Sequence, residues 1–338
     1  MNLSERVDLL TAVGASISAD LKNNRLDDLF FRVESENPWF VKRFVSQALN
    51  GVCENYLSKN KLSNWSSGIK EPSSIKTIGL VPAGNIPLVG LHDLLSVFIS
   101  GHNCKIKPSS KDQLLLTYLL NTMYELEPAL KSKMQLIDRL TGFDAVIATG
   151  SDNTNRYFEY YFGKYPSLLR KNRNSTAVID ENTSDADLRK LSDDIYTYFG
   201  LGCRSVSKVY IPNDFDLVRL IENISHFDWI GNLSKYHNNY MYQKSIYLVN
   251  KVSHFDTGFM LLRESAEISS AIGVLHYQKY VDKDDLSLKL ADELDKTQVV
   301  VGGHGLPTPR VVSYGQAQNT GLLDYADGKN TLEFLASL

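Results

Sequence analysis

Apolar residues near the start of the chain recur at helical spacing. Leu9, Leu10, Val13 and Ile17 form one stripe, and Phe40, Phe44, Ala48 and Val52 another, which predicts a helical N-terminal segment. Ser63 to Ser74, rich in Ser, Gly, Pro and Asn, reads as a loop. Beyond it the pattern changes to short apolar runs alternating with helical stretches. Strands are expected at Ile75–Val81, Asn103–Lys107, Asp144–Thr149 and Thr176–Ile179, and helices at Leu88–Ser100, Ser110–Leu126 and residues 152–163. The second half repeats the alternation. Helices are expected at Asp185–Phe199, Asp214–Ile224 and Lys283–Leu294, and strands at Lys208–Ile211, Ser245–Val249, Gly273–Tyr277 and Val299–Val301. Strands alternating with helices imply βαβ units and parallel sheets, so the pattern predicts two α/β units with a boundary near residue 180.

Composition narrows the partners. The chain has 338 residues, 43% of them hydrophobic and 22% charged, as in an ordinary globular protein of one or two domains. Its 36 basic and 39 acidic residues leave a formal charge of −3, which offers no electrostatic footprint for nucleic acid or an anionic membrane. No apolar run approaches the ~18 residues a spanning helix needs. The polar start Met1-Asn2-Leu3-Ser4-Glu5-Arg6 lacks the apolar core of a secretory signal. Three cysteines, Cys53, Cys104 and Cys203, make no disulfide framework and no zinc spacing, so a cytoplasmic protein without a structural metal is expected.

Candidate chemistry sits at the turns. Neither G-x-G-x-x-G nor G-x-x-x-x-G-K-[ST] is present. Gly150-Ser151 stands where a strand meets a helix, either as an ordinary βα turn or as a phosphate site. Pro82-Ala83-Gly84-Asn85-Ile86-Pro87-Leu88 is a stiff loop whose Asn85 amide suits either an oxyanion donor or a backbone-bonded turn. Cys203, in Gly200-Leu201-Gly202-Cys203-Arg204-Ser205, lies between a helix and a strand. Two glycines give the backbone room there, and Arg204 favours a thiolate; the alternative is an inert thiol. Cys104 in a short strand and Cys53 on a helical stripe read as core. The aromatic run Tyr157 to Phe162 lacks basic interleaving and reads as core or interface.

In this order, these segments resemble the aldehyde dehydrogenase superfamily, and more closely its acyl-CoA reductase branch, typified by the long-chain reductases of bacterial bioluminescence. The 82–88 loop resembles the family's Pro-Trp-Asn-Phe-Pro-Leu loop. Gly101 to Pro108 with Lys107-Pro108-Ser109-Ser110 is similar to its Lys-bearing segment, Ala148-Thr149-Gly150-Ser151 to its Phe-Thr-Gly-Ser turn, and Cys203 stands where the family has its nucleophile. The resemblance covers roughly residues 75–328. It implies an aldehyde-dehydrogenase-like α/β fold with two Rossmann-like domains and a helical N-terminal segment. Residues 1–180 would bind the cofactor, 181–312 would carry the nucleophile, and 313–338 would return to the cofactor domain. It further implies Cys203 as catalytic thiol, Asn85 as oxyanion donor, and Lys107, Ser109, Ser110, Gly150, Ser151 and Glu267 as cofactor contacts, with Glu264 a rival for the last.

Two departures from the family pattern sharpen this reading. The acid that activates the deacylating water in oxidising members would fall near Arg170, and Lys164 to Ile179 contains no acidic residue. A thioester on Cys203 would therefore persist for reduction rather than hydrolysis. Ser110 replaces the Glu that holds the adenosine ribose in many NAD-dependent members, which leans the cofactor toward NADPH, with NADH open. The expected reaction is NADPH-dependent reduction of a long-chain fatty acyl-CoA, or of another carrier-bound acyl thioester, to the aldehyde. An acyltransferase using the same cysteine and a non-catalytic relative remain as alternatives. A homodimer, common in the family, and an acyl-transfer partner protein are the macromolecular partners the resemblance allows. The family's oligomerisation arm is reduced here to about residues 64–74.

Overall fold

The computed structural model describes every residue except Ser151, Pro307 and Pro309, with the backbone alone for Asp152 and Asn153. The chain divides into two compact units, Met1–Asn172 with Thr320–Leu338, and Arg173–Asn319. Among the described residues no helix is long and apolar enough to cross a membrane.

The first unit begins with four helices, α1 (Leu3–Lys22), α2 (Asp27–Glu36), α3 (Lys42–Gly51) and α4 (Lys59–Ser66). Asn2 and Glu5 close a capping box at the start of α1, which buries Leu9, Leu10, Val13 and Ile17 on the expected stripe. Helix α4 enters the stretch expected to be loop, because Leu62 and Trp65, three apart, both reach the core. Then follow β1 (Thr77–Val81), α5 (Leu91–Ile99), β2 (Asn103–Ile106), α6 (Gln113–Leu126), β3 (Met134–Leu136), β4 (Ala145–Thr149), α7 (Asp152–Phe162) and β5 (Ser167–Arg170). The five strands form a parallel sheet in the order β3-β2-β1-β4-β5. From β1 the chain winds outward through β2 and β3, then returns to the other side for β4 and β5. The order therefore reverses between β1 and β4.

Residues 320–338 complete this unit. Leu322 and Leu335 enter its core beside Leu10, Leu94 and Ile99. The Trp65 indole donates to the Tyr325 hydroxyl at 2.9 Å, and the His92 ring donates to the Leu322 carbonyl at 2.9 Å. Burial lowers the His92 pKa. Arg170, 2% exposed at the end of β5, donates to Asp93 at 2.7 Å, to the Thr331 hydroxyl at 2.7 Å and to the Ala326 carbonyl.

The second unit runs β6 (Asn174–Val178), α8 (Asp185–Tyr196), β7 (Val206–Pro212), α9 (Leu217–Ile224), α10 (Ser234–Val249), β8 (Phe255–Asp256), β9 (Leu261–Glu264), β10 (Val274–Tyr280), α11 (Lys283–Asp292), β11 (Thr297–Gly302) and β12 (Val311–Val312). Its seven strands lie in the order β12-β11-β6-β7-β10-β9-β8, parallel except for the edge pair β8–β9.

Other expectations also need correction. Ser245–Val249 is the last part of α10, not a strand. Its apolar run has strand-like composition, but Tyr236, Tyr240 and Tyr247 are buried at helical spacing along the same element. The chain changes unit at Asn172/Arg173, ahead of residue 180, because β6 hydrogen-bonds between β7 and β11. The return to the first unit comes at Thr320, so residues 313–319 stay with the second.

Candidate functional site

In the first unit the carboxyl ends of β1, β2 and β4 continue into the 82–88 loop, the Lys107–Ser110 segment and the turn at Gly150. Because the strands are parallel, all three turns emerge on one edge of the sheet, around the point where the strand order reverses. Ligands of open parallel sheets bind at that point. Ser151 lies outside the described residues.

The turns are tightly fitted to one another. A Cβ on Gly84 would lie 2.3 Å from Ser109 Oγ, so only glycine lets the Asn85 loop approach the Lys107 segment this closely. Leu88 is left-handed at φ 54°, and its N–H donates at 2.8 Å to Asp112 Oδ2. Asp112 is buried, and its Oδ1 has no hydrogen-bond partner. Burial pushes its carboxyl well above the usual carboxylate range. Asn85 is half-buried, while Lys107 and Ser110 are exposed. The Lys107 N–H donates to the Leu80 carbonyl at 2.9 Å, which extends the β1–β2 ladder to the loop. At the third turn Asn155, 2% exposed, donates through its amide to the carbonyls of Gly150 (3.1 Å) and Arg170 (3.0 Å).

These residues fit a nicotinamide dinucleotide. The switch point has a lysine and two hydroxyls at the end of β2 and a βα turn at the end of β4, polar groups of the kind a dinucleotide needs.

In the second unit Cys203 is half-buried in a turn just ahead of β7. The approach to it departs from helical geometry. Tyr198 (φ 56°), Phe199 (φ 58°) and Gly200 (φ 73°) are consecutively left-handed, where the sequence pattern continued a helix to Phe199. Such a conformation costs a non-glycine residue roughly 1–2 kcal/mol, and it persists because both aromatic rings are buried. The Cys203 carbonyl accepts from Ser175 Oγ of β6 at 3.0 Å, and the Ser205 N–H closes the turn onto the Gly202 carbonyl at 3.0 Å. The other thiols differ. Cys104 is fully buried on β2 and Cys53 is half-buried against the core, and burial pushes both up in pKa, away from the nucleophilic form.

Glu267 and Glu264 are both exposed, Glu264 at the end of β9 and Glu267 in the segment after it. That segment is held by three successive carbonyls. Ala266 accepts from Lys208 Nζ at 2.7 Å, Glu267 from His276 Nδ1 at 2.9 Å, and Ile268 from Ser207 Oγ at 2.6 Å. Lys208 is itself buried and paired with Glu293 at 2.8 Å. Burial, opposed by Glu293, lowers its pKa. Cys203 and Glu267 thus belong to different loops, each fixed by polar side chains from the central strands. The sequence reading missed Asp112, Asn155, Ser175, Ser207, Lys208 and His276. For Ser207, Lys208 and His276 the signal was a polar residue inside a strand of the central sheet; Asp112, at the N-cap of α6, Asn155, within α7, and Ser175, beside Asn174 at the start of β6, carried no such mark.

The position counted for the deacylating acid falls near Arg170, whose guanidinium is committed to Asp93 and Thr331. Among the described residues no group of three or more His, Cys, Asp or Glu side chains could hold a metal.

Solved structures share the fold. An oxidoreductase from Marinobacter aquaeolei superposes with a TM-score of 0.70 at 9% identity, over 95% of this chain and 79% of its own. An aldehyde dehydrogenase from Bacillus cereus, solved with NAD+, gives 0.66 at 13% identity over 93% and 76%. An NADP-dependent glyceraldehyde-3-phosphate dehydrogenase from Bacillus halodurans, complexed with NADP, gives 0.65 at 12% identity over 93% and 79%. A comparison with curated protein sequences finds no match. The family model for acyl-CoA reductase (LuxC) matches residues 42–236, more than half of the chain and inclusive of both the Asn85 loop and Cys203. With its aldehyde-dehydrogenase fold, the chain belongs to the LuxC family of acyl-CoA reductases, oxidoreductases that act on acyl and aldehyde groups.

Proposed function

We propose that this chain reduces a long-chain fatty acyl-CoA to the aldehyde through a thioester on Cys203, with NADPH as reductant. The observation that carries the reading is the Cys203 turn of an acyl-CoA reductase family member: a half-buried thiol after glycines, its carbonyl anchored by Ser175. The Cys203 thiolate attacks the acyl carbonyl, and CoA leaves as its thiolate. The oxyanion that forms is stabilised by the Cys203 backbone N–H and the Asn85 amide. A bound nicotinamide supplies a hydride to the acyl carbon. The C–S bond then breaks, the aldehyde departs and the Cys203 thiolate is restored. Lys107, Ser109 and Ser110 with the Gly150 turn hold the dinucleotide, and Glu267 holds its nicotinamide ribose. Without an acid between Lys164 and Ile179, water is not activated and the thioester survives until reduction. Three thiols outside any disulfide fit a cytoplasmic setting.

Intact-protein mass after incubation with a long-chain acyl-CoA, followed by peptide mapping, tests the scheme. The expected result is one acyl mass on Cys203 that disappears when NADPH is added. C203S should show neither adduct nor aldehyde, and wild-type activity in C203S would overturn the reading. An adduct that NADPH leaves in place but a second thiol removes would identify acyl transfer.

A further inference from the structure

The Gly315-Gln316-Ala317-Gln318 segment crosses the second unit as a strap. Tyr314 anchors one end, its hydroxyl donating to the Val178 carbonyl and lying 3.0 Å from Thr183 Oγ1. Asp194 on α8, 1% exposed, then takes two backbone N–H groups, Gly315 on Oδ2 at 2.6 Å and Ala317 on Oδ1 at 2.8 Å. The fully buried Ala317 returns its carbonyl to Arg204 Nε, and Gln318 Nε2 donates to Ser205 Oγ at 3.1 Å. Gly315 is left-handed at φ 78°, which lets both N–H groups face one carboxylate.

The partners of the strap bracket the nucleophile. Asp194 precedes the left-handed Tyr198-Phe199-Gly200 run, and Arg204 and Ser205 follow Cys203 directly. A loop that contains strained backbone keeps its shape only if its two ends are fixed relative to each other. The α8 helix fixes one end, β7 fixes the other, and the strap joins them across the loop. The geometry points to residues 314–318 as a clamp that sets the position of the Cys203 turn, with Asp194, Arg204 and Gln318 as positioning residues for acylation.

This inference rests on Cys203 being the nucleophile, and the test separates the two claims. The acylation rate of Cys203 by hexadecanoyl-CoA, without nicotinamide, would be followed by quenched intact-protein mass in the unsubstituted protein, D194N and Q318A. Loss of one neutral hydrogen bond predicts a fall of about 3- to 10-fold in each variant. D194A, which removes both acceptors, should fall further than D194N. NADPH affinity, read by fluorescence titration, should not change. A strap that merely stabilises the fold would lower the melting temperature and leave acylation per folded molecule, and its pH profile, at wild-type values. That result in D194N and Q318A overturns the clamp. Absence of any Cys203 adduct in the unsubstituted protein would instead remove the nucleophile on which the clamp depends.

Discussion

At the residue scale, Asn85 is the sharpest case. If its amide stabilises the oxyanion, N85A should lower kcat by ~10²–10³-fold while leaving dinucleotide affinity intact. Steady-state kinetics beside a binding titration decide it, and an unchanged kcat would return Asn85 to the turn. Arg170 is a contrasting residue whose part is structural. Its guanidinium faces a nearly buried Asp93. R170M leaves that carboxylate uncompensated and should cost about 3–5 kcal/mol, read as a lower urea midpoint. Asp194 adds a pH signature. Burial pushes its carboxyl up to about 7, against the two N–H groups that favour the charged form. The unfolded chain releases this proton at the ordinary carboxylate value while the folded chain keeps it. Stability is therefore lost as pH rises between about 4 and about 7, and stays level above. The difference in urea midpoint between wild type and D194N, measured at pH 5 and pH 8, should change in that direction. Cys203 and Asn85 stood out in the sequence because glycine and proline mark their loops. Asp112 and Ser175 did not, since Asp112 sits among polar residues at a helix start and Ser175 beside Asn174, where nothing in the sequence announces burial.

The elements with plain periodicity were legible. The stripe on α1, the strands β1 and β4 and the buried α5 all lie within a few residues of their expected bounds. Where the pattern misled, tertiary contacts had overridden local preference. Ser245–Val249 carries strand-like residues yet ends a helix whose tyrosines are buried at helical spacing, and Asp185–Phe199 reads as one helix although its last two aromatics are left-handed. The short strands β3, β5, β8, β9 and β12 were missed, having too few residues to display a period. The segment between β2 and α6 carries the prediction that belongs to this scale. Its exposed Ser110 sits three residues past Lys107. S110E should raise the KM for NADPH far more than that for NADH, because a carboxylate there repels a 2′-phosphate and accepts from ribose hydroxyls. Equal effects on the two cofactors would show that position 110 does not face the adenosine ribose.

For the whole molecule, the alternation of strands and helices announced two α/β units, and no local pattern announced that the chain comes back to the first. That return depends on scattered contacts: Leu322 and Leu335 in the core, Tyr325 on Trp65, and Thr331 on Arg170 and Asp93. A chain ending at Asn319 should keep a protected second unit and lose hydrogen-exchange protection across β1, α5 and β2. Retained protection there would mean that the first unit is stable without its last segment. The same thread fixes an order of assembly. As the polypeptide emerges from the ribosome, residues 173–319 can close on themselves as soon as they appear. The residues made before them must wait, with apolar surface uncovered, for residues 320–338, which follow the whole second unit. The unit begun before the other is thus completed after it, and a stop codon or protease cut between residues 319 and 320 would strike that earlier unit rather than the later one.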